Sequence, residues 1–290
     1  MDIALADEQL RRLDEGRAFV EQRGTRITVV SGAETRSWLG DLITADVATL
    51  GAHMSRPSLL LTPTGRIRAA FHVLGLGERD IALAQSDDQP ETVGKILAPY
   101  VLSSDVSVEP SRLRIFSVPG GSQPPSWAGD AWRPSVLGGG FDLLVGGTDE
   151  AVEELRQRLE VEGLEPAGAD AAEIHRIRRG EPRFPIDVGP DGLPSEAGWE
   201  DRIDTAKGCF LGQEAVARVR NLGHPTRVVL SLRAPGIVEP GEPVISGGDR
   251  AGVVTSAARS ADGSAVLARV RWDARDRPLE TASGVPLAHP

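Results

Sequence analysis

The chain has 290 residues and a formal net charge of −10, from 32 basic and 42 acidic side chains. Apolar residues make up 40% and charged residues 26% of the sequence, as is typical of a globular protein. This acidic balance disfavours a uniformly basic nucleic-acid binder, and we expect no direct DNA binding, because phosphate contacts need clustered Lys and Arg. No apolar run approaches the ~20 residues that a membrane span needs, so no membrane partner is expected.

The cysteine, lysine and histidine residues limit the kinds of site that we expect in this chain. Cys209 is the single cysteine, so we expect no internal disulfide, no cysteine-rich metal site and a cytoplasmic location. The five histidines lack metal-ligand spacing, so no metal site is predicted and a structural role is expected for each of them, including His72. Lysine occurs only at Lys95 and Lys207, and Lys207 stands two residues before the cysteine.

Short strands and helices alternate over the first three quarters of the chain, after a polar entry segment at residues 1–25. Strands are predicted at 26–30, 58–62, 66–74, 80–85, 105–108, 112–118 and 141–145, and helices at 33–39, 91–101, 149–161, 169–179 and 213–220. A capping box of Ser31 and Glu34 predicts the start of the helix at 33–39. Pro99 is expected to disturb the end of the helix at 91–101.

Two loops and a change of character complete the prediction. Residues 119–140 and 181–212 are rich in Gly and Pro and predict loops, and a loop as long as the second is usually functional. Beyond Pro225 the sequence shows only short strands separated by turns, which predicts a small β-barrel or sandwich. We therefore predict one domain at residues 1–224 and a second at 225–290.

The densest cluster of reactive groups is Lys-Gly-Cys-Phe-Leu-Gly-Gln-Glu at residues 207–214. Gly208 and Gly212 bracket the segment and indicate a bent or closely approached backbone at both ends. The ammonium of Lys207 and the start of the predicted helix both favour the thiolate of Cys209. Two interpretations stay open: Cys209 is a small buried hydrophobic residue, or it is a partly exposed reactive thiol and transient ligand for a soft metal.

This octapeptide resembles the signature of the YgfZ-type folate-binding proteins. These form the iron–sulfur cluster branch of the superfamily named for the glycine-cleavage T-protein, an aminomethyltransferase. Other segments that resemble the family, in family order, are Gly40–Val47, Leu61–Ile67, Arg176–Phe184, Pro194–Ala197 and Gly252–Ser256. The resemblance implies an α+β fold, with a T-protein-like folate-binding region of two intertwined lobes followed by a C-terminal β-barrel.

The resemblance also implies a function, which is support of iron–sulfur cluster assembly or repair, and so of iron–sulfur tRNA-modifying enzymes. Cys209 would be the reactive group and Lys207 its electrostatic activator, with Gln213 and Glu214 fixing the loop at the start of the helix. One thiolate supplies only one of the four ligands that a cluster usually needs, so its role would be transient. The partners implied are iron–sulfur client or carrier proteins, including tRNA-modifying radical enzymes.

The cofactor implied by the resemblance is tetrahydrofolate or a one-carbon derivative of it. The positions that match the folate-binding acid and arginine of the T-protein are Asp142 and Arg176. An acid accepts hydrogen bonds from two pterin N–H groups, and an arginine binds a glutamyl carboxylate. Judged from the residues alone, Asp142 also fits a solvated acid at a strand end, and Arg176 fits a cation stabilised by the carboxyl end of a helix.

Whether the chain is an enzyme stays open. In aminomethyltransferases the hairpin strand carries an Asp pair that acts at a folate nitrogen, and the matching positions here are Ala69 and Ala70. Alanine neither takes up a proton nor stabilises a cation. The alternatives are a folate-dependent one-carbon transferase or demethylase, which needs another acid or base, and a non-catalytic adaptor for a radical enzyme, in which Cys209 is structural.

Overall fold

The computed structural model describes residues 3–290. Met1 and Asp2, at the start of the predicted entry segment, lie outside the described residues. The helices are α1 (Ile3–Asp14), α2 (Thr35–Leu42), α3 (Val93–Leu97), α4 (Asp149–Val161), α5 (Ala169–Arg178) and α6 (Gln213–Leu222). The strands are β1 (Ala18–Glu21), β2 (Thr25–Ser31), β3 (Ser55–Leu61), β4 (Ile67–Gly75), β5 (Asp80–Ser86), β6 (Ser107–Ser111), β7 (Arg114–Val118), β8 (Trp132–Pro134), β9 (Phe141–Val145), β10 (Glu165–Pro166), β11 (Arg227–Ala234), β12 (Pro243–Ser246), β13 (Asp249–Ser260), β14 (Gly263–Arg271), β15 (Leu279–Thr281) and β16 (Pro286–Leu287).

The chain folds as two compact units that are discontinuous in sequence. The first unit combines the N-terminal residues up to Arg11 with Ala167–Glu200 and Glu214–Pro290, and the second combines Arg12–Pro166 with Asp201–Gln213. The predicted boundary between residues 224 and 225 falls inside the first unit. It does so because α5 packs on the C-terminal strands, where Ile177 shares a hydrophobic cluster with Leu267.

The second unit contains two five-stranded sheets, with strand orders β3-β4-β5-β2-β6 and β10-β1-β7-β9-β8. Successive side chains of a strand point to opposite faces. On one face of the first sheet, Phe71 of β4 packs in a core with residues of α2 and α3. On its other face, Leu74 of β4 shares a cluster with Leu144 of β9 in the second sheet. We call the region between these two facing surfaces the inter-sheet space.

The C-terminal strands of the first unit form one antiparallel sheet of order β11-β14-β13-β12-β15-β16. Arg233 of β11 and Ala288, just after β16, exchange two backbone hydrogen bonds of 2.7 and 2.9 Å, so the sheet nearly closes. Its interior is apolar, with Leu232, Val254 and Val270 in one cluster. The predicted α+β class with a C-terminal barrel is confirmed.

The predicted capping box is wrong. Ser31 is the last residue of β2, and α2 begins only at Thr35, after Glu34, which makes no side-chain cap. The Glu34 carboxylate instead accepts the backbone N–H of Asp105 at 2.6 Å. A partner 71 residues away in the sequence has replaced the local one, and no local pattern could indicate this.

Other differences concern the ends of elements. The predicted helix at 91–101 is a short α3 followed by a 3-10 turn at Ala98–Tyr100, because Pro99 has no N–H to donate. The predicted loop at 119–140 contains a 3-10 segment at Ser126–Ala131 and the three-residue edge strand β8. The helix at 149–161 is confirmed in full as α4. Within the described residues, no helix is both long and apolar enough to cross a membrane.

Candidate functional site

The single cysteine is exposed. Cys209 is a free, exposed thiol on residues 204–212, which lie just before α6 in the second unit and which we call the Cys209 loop. The next residue, Phe210, is buried and anchors the loop to the unit. This exposure contradicts the interpretation of Cys209 as a buried hydrophobic residue.

The Cys209 loop caps the carboxyl end of α2. The last carbonyls of a helix have no partner inside the helix and need donors from elsewhere. The Nζ of Lys207 donates to the carbonyl oxygens of Gly40 (2.7 Å), Ile43 (2.6 Å) and Ala45 (3.0 Å). The backbone N–H of Leu211 donates to the carbonyl of Asp41 at 3.1 Å. Cys209 is thus held between two points of attachment to the same helix end.

These contacts change the role of Lys207. An ammonium has three N–H donors, and all three are used by one carbonyl in the last turn of α2 and two carbonyls just after it. Burial lowers the pKa of Lys207 to about 8, although the carboxylates of Asp46, Asp204 and Asp41 act to raise it. The ammonium therefore stabilises the carbonyls at the end of α2. No contact of Lys207 supports its predicted role as activator of Cys209.

Two further residues shape the loop. Asp204 Oδ1 accepts the backbone N–H groups of Ala206 (2.8 Å) and Lys207 (3.1 Å), which starts the turn. Gly212 has φ +86°, and a Cβ there would lie 2.5 Å from the carbonyl oxygen of Thr62 in the β3–β4 turn. Only glycine fits such a position. By contrast, a Cβ on Gly208 would meet nothing within 4 Å.

Gln213 and Glu214 do not hold the loop through their side chains. Among the described residues neither side chain makes a hydrogen bond or an ion pair, and Glu214 is exposed at the first turn of α6. The predicted role of fixing the loop belongs instead to Asp204, Lys207 and the backbone of Leu211.

Asp142 is a buried acid with one unpaired oxygen. It lies on β9 and is 0% exposed. Its Oδ2 accepts the backbone N–H of Val136 at 2.8 Å, whereas Oδ1 has no hydrogen-bond partner among the described residues. Burial raises the pKa of Asp142 to about 6, although the hydroxyl of Ser117 acts to lower it. The structure therefore contradicts the interpretation of Asp142 as a solvated acid at a strand end.

The strand register turns Asp142 towards the inter-sheet space. Asp142 shares a face of β9 with Leu144, which packs against the other sheet. On that sheet, β4 and β5 present Ala70, Ala82 and Ala84, all of them buried and small. A buried carboxylate oxygen without a partner costs free energy, and a ligand N–H would satisfy it. The unpaired oxygen therefore fits a ligand that offers an N–H donor.

Arg176 donates all of its hydrogen bonds to neighbouring residues of the chain. A guanidinium has five N–H donors, and here they are distributed over Glu173 (twice), Asp187, Ser256 and the carbonyl of Glu181. These partners all lie in the first unit. All five donors are engaged within the chain, so no contact in the structure supports the predicted cofactor-binding role of Arg176. Asp187, which accepts one of these hydrogen bonds, is fully buried. No local pattern in the sequence marks it as the partner of Arg176.

Ala69 and Ala70, which the resemblance aligns with the Asp pair of aminomethyltransferases, face opposite ways. Ala69 packs in the core on the α2 side of its sheet, whereas Ala70 lies on the inter-sheet side. The side-chain amide of Gln89 pairs with the backbone of Ala70. It accepts a hydrogen bond from the N–H (3.1 Å) and donates one to the carbonyl (2.6 Å). No group of three His, Cys, Asp or Glu side chains among the described residues comes together to hold a metal ion.

The comparisons with known proteins found one fold and relatives that carry two different names. An aminomethyltransferase of Symbiobacterium thermophilum is 29% identical over 67% of this chain and 52% of its own length. The mitochondrial "iron-sulfur cluster assembly factor IBA57 homolog" of Cryptococcus neoformans is 26% identical over 70% of this chain and 63% of its own length. The chain thus spans less than two thirds of the length of these relatives. No protein-family model matches it.

A solved structure settles the fold. Aminomethyltransferase T of the Bartonella henselae glycine cleavage system superimposes with a TM-score of 0.80 over 97% of this chain and 88% of its own, at 19% sequence identity. At that identity the likeness concerns architecture alone. It agrees with the paired sheets and the nearly closed C-terminal sheet described above. The chain therefore has the fold of the glycine-cleavage T-protein.

Proposed function

We propose that this protein binds a reduced folate and supports iron–sulfur cluster assembly or repair through Cys209. The observation that carries the proposal is the exposure of Cys209 on a loop fixed to the end of α2. A thiolate is the usual ligand of cluster iron, and a cluster usually takes four of them. Cys209 therefore supplies one ligand while a cluster passes between other proteins.

Two findings favour this function over aminomethyl transfer. Ala70 stands on the inter-sheet side of β4, where a carboxylate would be needed to exchange protons with a folate nitrogen, and alanine does not do so. One relative carries the name of an iron–sulfur cluster assembly factor. Other relatives carry the name aminomethyltransferase, so a folate-dependent one-carbon transferase is the alternative.

The folate would lie in the inter-sheet space. Asp142 would hold it, since the unpaired Oδ1 offers an acceptor to the N–H donors of the pterin edge. On the facing sheet, β4 and β5 present only the small, buried side chains of Ala70, Ala82 and Ala84 to the ligand. Tetrahydrofolate, when bound, supplies a carrier for one-carbon units.

The partners and the location are part of the proposal. We expect iron–sulfur client or carrier proteins as partners, including tRNA-modifying radical enzymes, because a single thiolate must pass its cluster on. A cytoplasmic location agrees with a free, exposed thiol. In a non-catalytic adaptor for a radical enzyme, the thiol of Cys209 would be dispensable.

Complementation tests the proposal. Cys209→Ser and Cys209→Ala are expressed in cells that lack the native protein, and the activities of iron–sulfur enzymes are measured. Both variants remove the thiolate, so both are expected to fail while they stay folded and bind tetrahydrofolate. Thr205→Ala is the matched control, because Thr205 is exposed on the same loop, and it is expected to complement in full.

Full complementation by Cys209→Ala would contradict the cluster-ligand role and favour the adaptor. Failure of the wild-type chain to bind tetrahydrofolate in calorimetry would contradict the folate-binding half of the proposal. Neither result would alter the fold.

A further inference from the structure

His72 stands out on the central strand of its sheet. It lies on β4, and the alternation of side chains puts it on the same face as Ala70 and Leu74. Leu74 belongs to the cluster that joins the two sheets, so His72 also faces the inter-sheet space. Every residue from 69 to 75 is buried except His72, which keeps part of its surface accessible.

The imidazole of His72 has no polar partner among the described residues. Burial, and then the positive charge of Arg202, lower the pKa of His72 to about 3. The imidazole is therefore neutral at physiological pH. It makes no hydrogen bond with any described residue. His72 thus combines partial accessibility with an imidazole whose hydrogen-bonding atoms are unused.

Asp142, on the opposite sheet, faces the same inter-sheet space. Leu144, two residues after Asp142, packs in the cluster that contains Leu74, two residues after His72. The guanidinium of Arg133, whose backbone pairs with Asp142 across β8 and β9, donates to the carbonyl of Gly75 at 2.7 Å. The end of β4 is thus tied to the strands that carry Asp142, and both unsatisfied side chains face one region.

We propose that His72 is a second ligand-contacting residue of the inter-sheet site, where its imidazole hydrogen-bonds a ring nitrogen of the heteroaromatic ligand that Asp142 also binds. This inference rests on the proposed folate binding and names a residue for it. A neutral imidazole carries one donor and one acceptor. Between Ala70 and Leu74, where both neighbours on the face are aliphatic, His72 is the one side chain that offers a polar atom.

Binding calorimetry with tetrahydrofolate tests the role. His72→Leu removes the hydrogen bond and is expected to weaken binding by about tenfold. His72→Gln keeps a donor and an acceptor and is expected to stay within about threefold of the wild type. His53→Gln is the control, because His53 lies in the same unit and stacks on Trp132, which alternates to the opposite side of β8 from Arg133.

A second measurement separates contact from mere packing. In histidine-labelled protein, the imidazole nitrogen resonances of His72 are expected to shift when tetrahydrofolate is added, and those of His53 to stay in place. Wild-type affinity of His72→Leu, with Asp142→Asn weakened, would overturn the role of His72 and leave folate binding intact. Absence of binding by the wild-type chain would overturn both.

Discussion

The buried carboxyl of Asp142 creates a pH dependence of stability. Its pKa is raised from an ordinary 3.8 to about 6, so between those pH values the folded state binds more protons than the unfolded state. Stability therefore falls as pH rises through this window, and the loss remains in full above pH 6. Two pKa units correspond to about 3 kcal/mol.

Asp142→Asn tests this sign. The amide cannot ionise, so the free energy of unfolding of the variant relative to the wild type is expected to increase by up to about 3 kcal/mol between pH 4 and pH 7.5. Urea denaturation of both proteins at the two pH values measures the difference. A constant difference at both pH values would show that the carboxyl of Asp142 is solvated.

The two glycines of the Cys209 loop are expected to behave differently. Gly212→Ala forces a side chain into left-handed backbone at φ +86° and against the carbonyl of Thr62, and we expect a loss of about 2–3 kcal/mol. Gly208→Ala meets nothing within 4 Å and is expected to change stability by less than about 0.5 kcal/mol. Thermal unfolding of the two variants measures the difference in stability. Equal losses of stability would contradict the positions described for the two glycines.

At the scale of elements, the end of α2 depends on a lysine from the Cys209 loop. Lys207→Met leaves three carbonyls without their donor and is expected to cost about 1–3 kcal/mol. Lys95→Met is the matched control, since Lys95 is exposed on α3 and is the other lysine of the chain. We expect the alkylation rate of Cys209 to change in the Lys207 variant and not in the control, because only the first frees the loop.

Chemical denaturation and the rate of thiol alkylation give the two readouts. If Lys207→Met matched Lys95→Met in both, the cap would contribute nothing to the loop. If alkylation of Cys209 slowed without any loss of stability, the ammonium would act on the thiol itself, as the sequence alone suggested.

The sequence predicted elements whose signals are local. The periodic pattern of α4 and the short strands of the C-terminal sheet were recovered because each depends on neighbouring residues. The start of α2 was not predicted correctly, because the carboxylate of Glu34 accepts a hydrogen bond from the distant backbone N–H of Asp105. The Lys-Gly-Cys segment was located by its motif, yet the role of Lys207 depends on carbonyls more than 160 residues away. The engagement of Arg176 with Asp187 and Ser256 was hidden for the same reason.

At the scale of the whole molecule, the glycine-cleavage T-protein fold carries Ala69 and Ala70 where the resemblance implies the Asp pair of aminomethyltransferases. We expect no aminomethyl transfer from a lipoyl carrier protein to tetrahydrofolate, or a rate at least about 10²-fold below that of an authentic enzyme, because a positioned acid or base contributes that much. A coupled assay of the purified chain measures it. A rate within about tenfold would identify a transferase with another acid–base group.

The discontinuity of the second unit has a consequence for biosynthesis. The ribosome delivers residues 12–166 first, and the chain then builds part of the other unit before residues 201–213 return to the second one. Until that late segment emerges, the carboxyl end of α2 has neither Lys207 nor Leu211 to cap it. The second unit therefore stays incomplete during synthesis until residues 201–213 have been added. Docking of this segment completes the unit and positions the thiol of Cys209 at the same time.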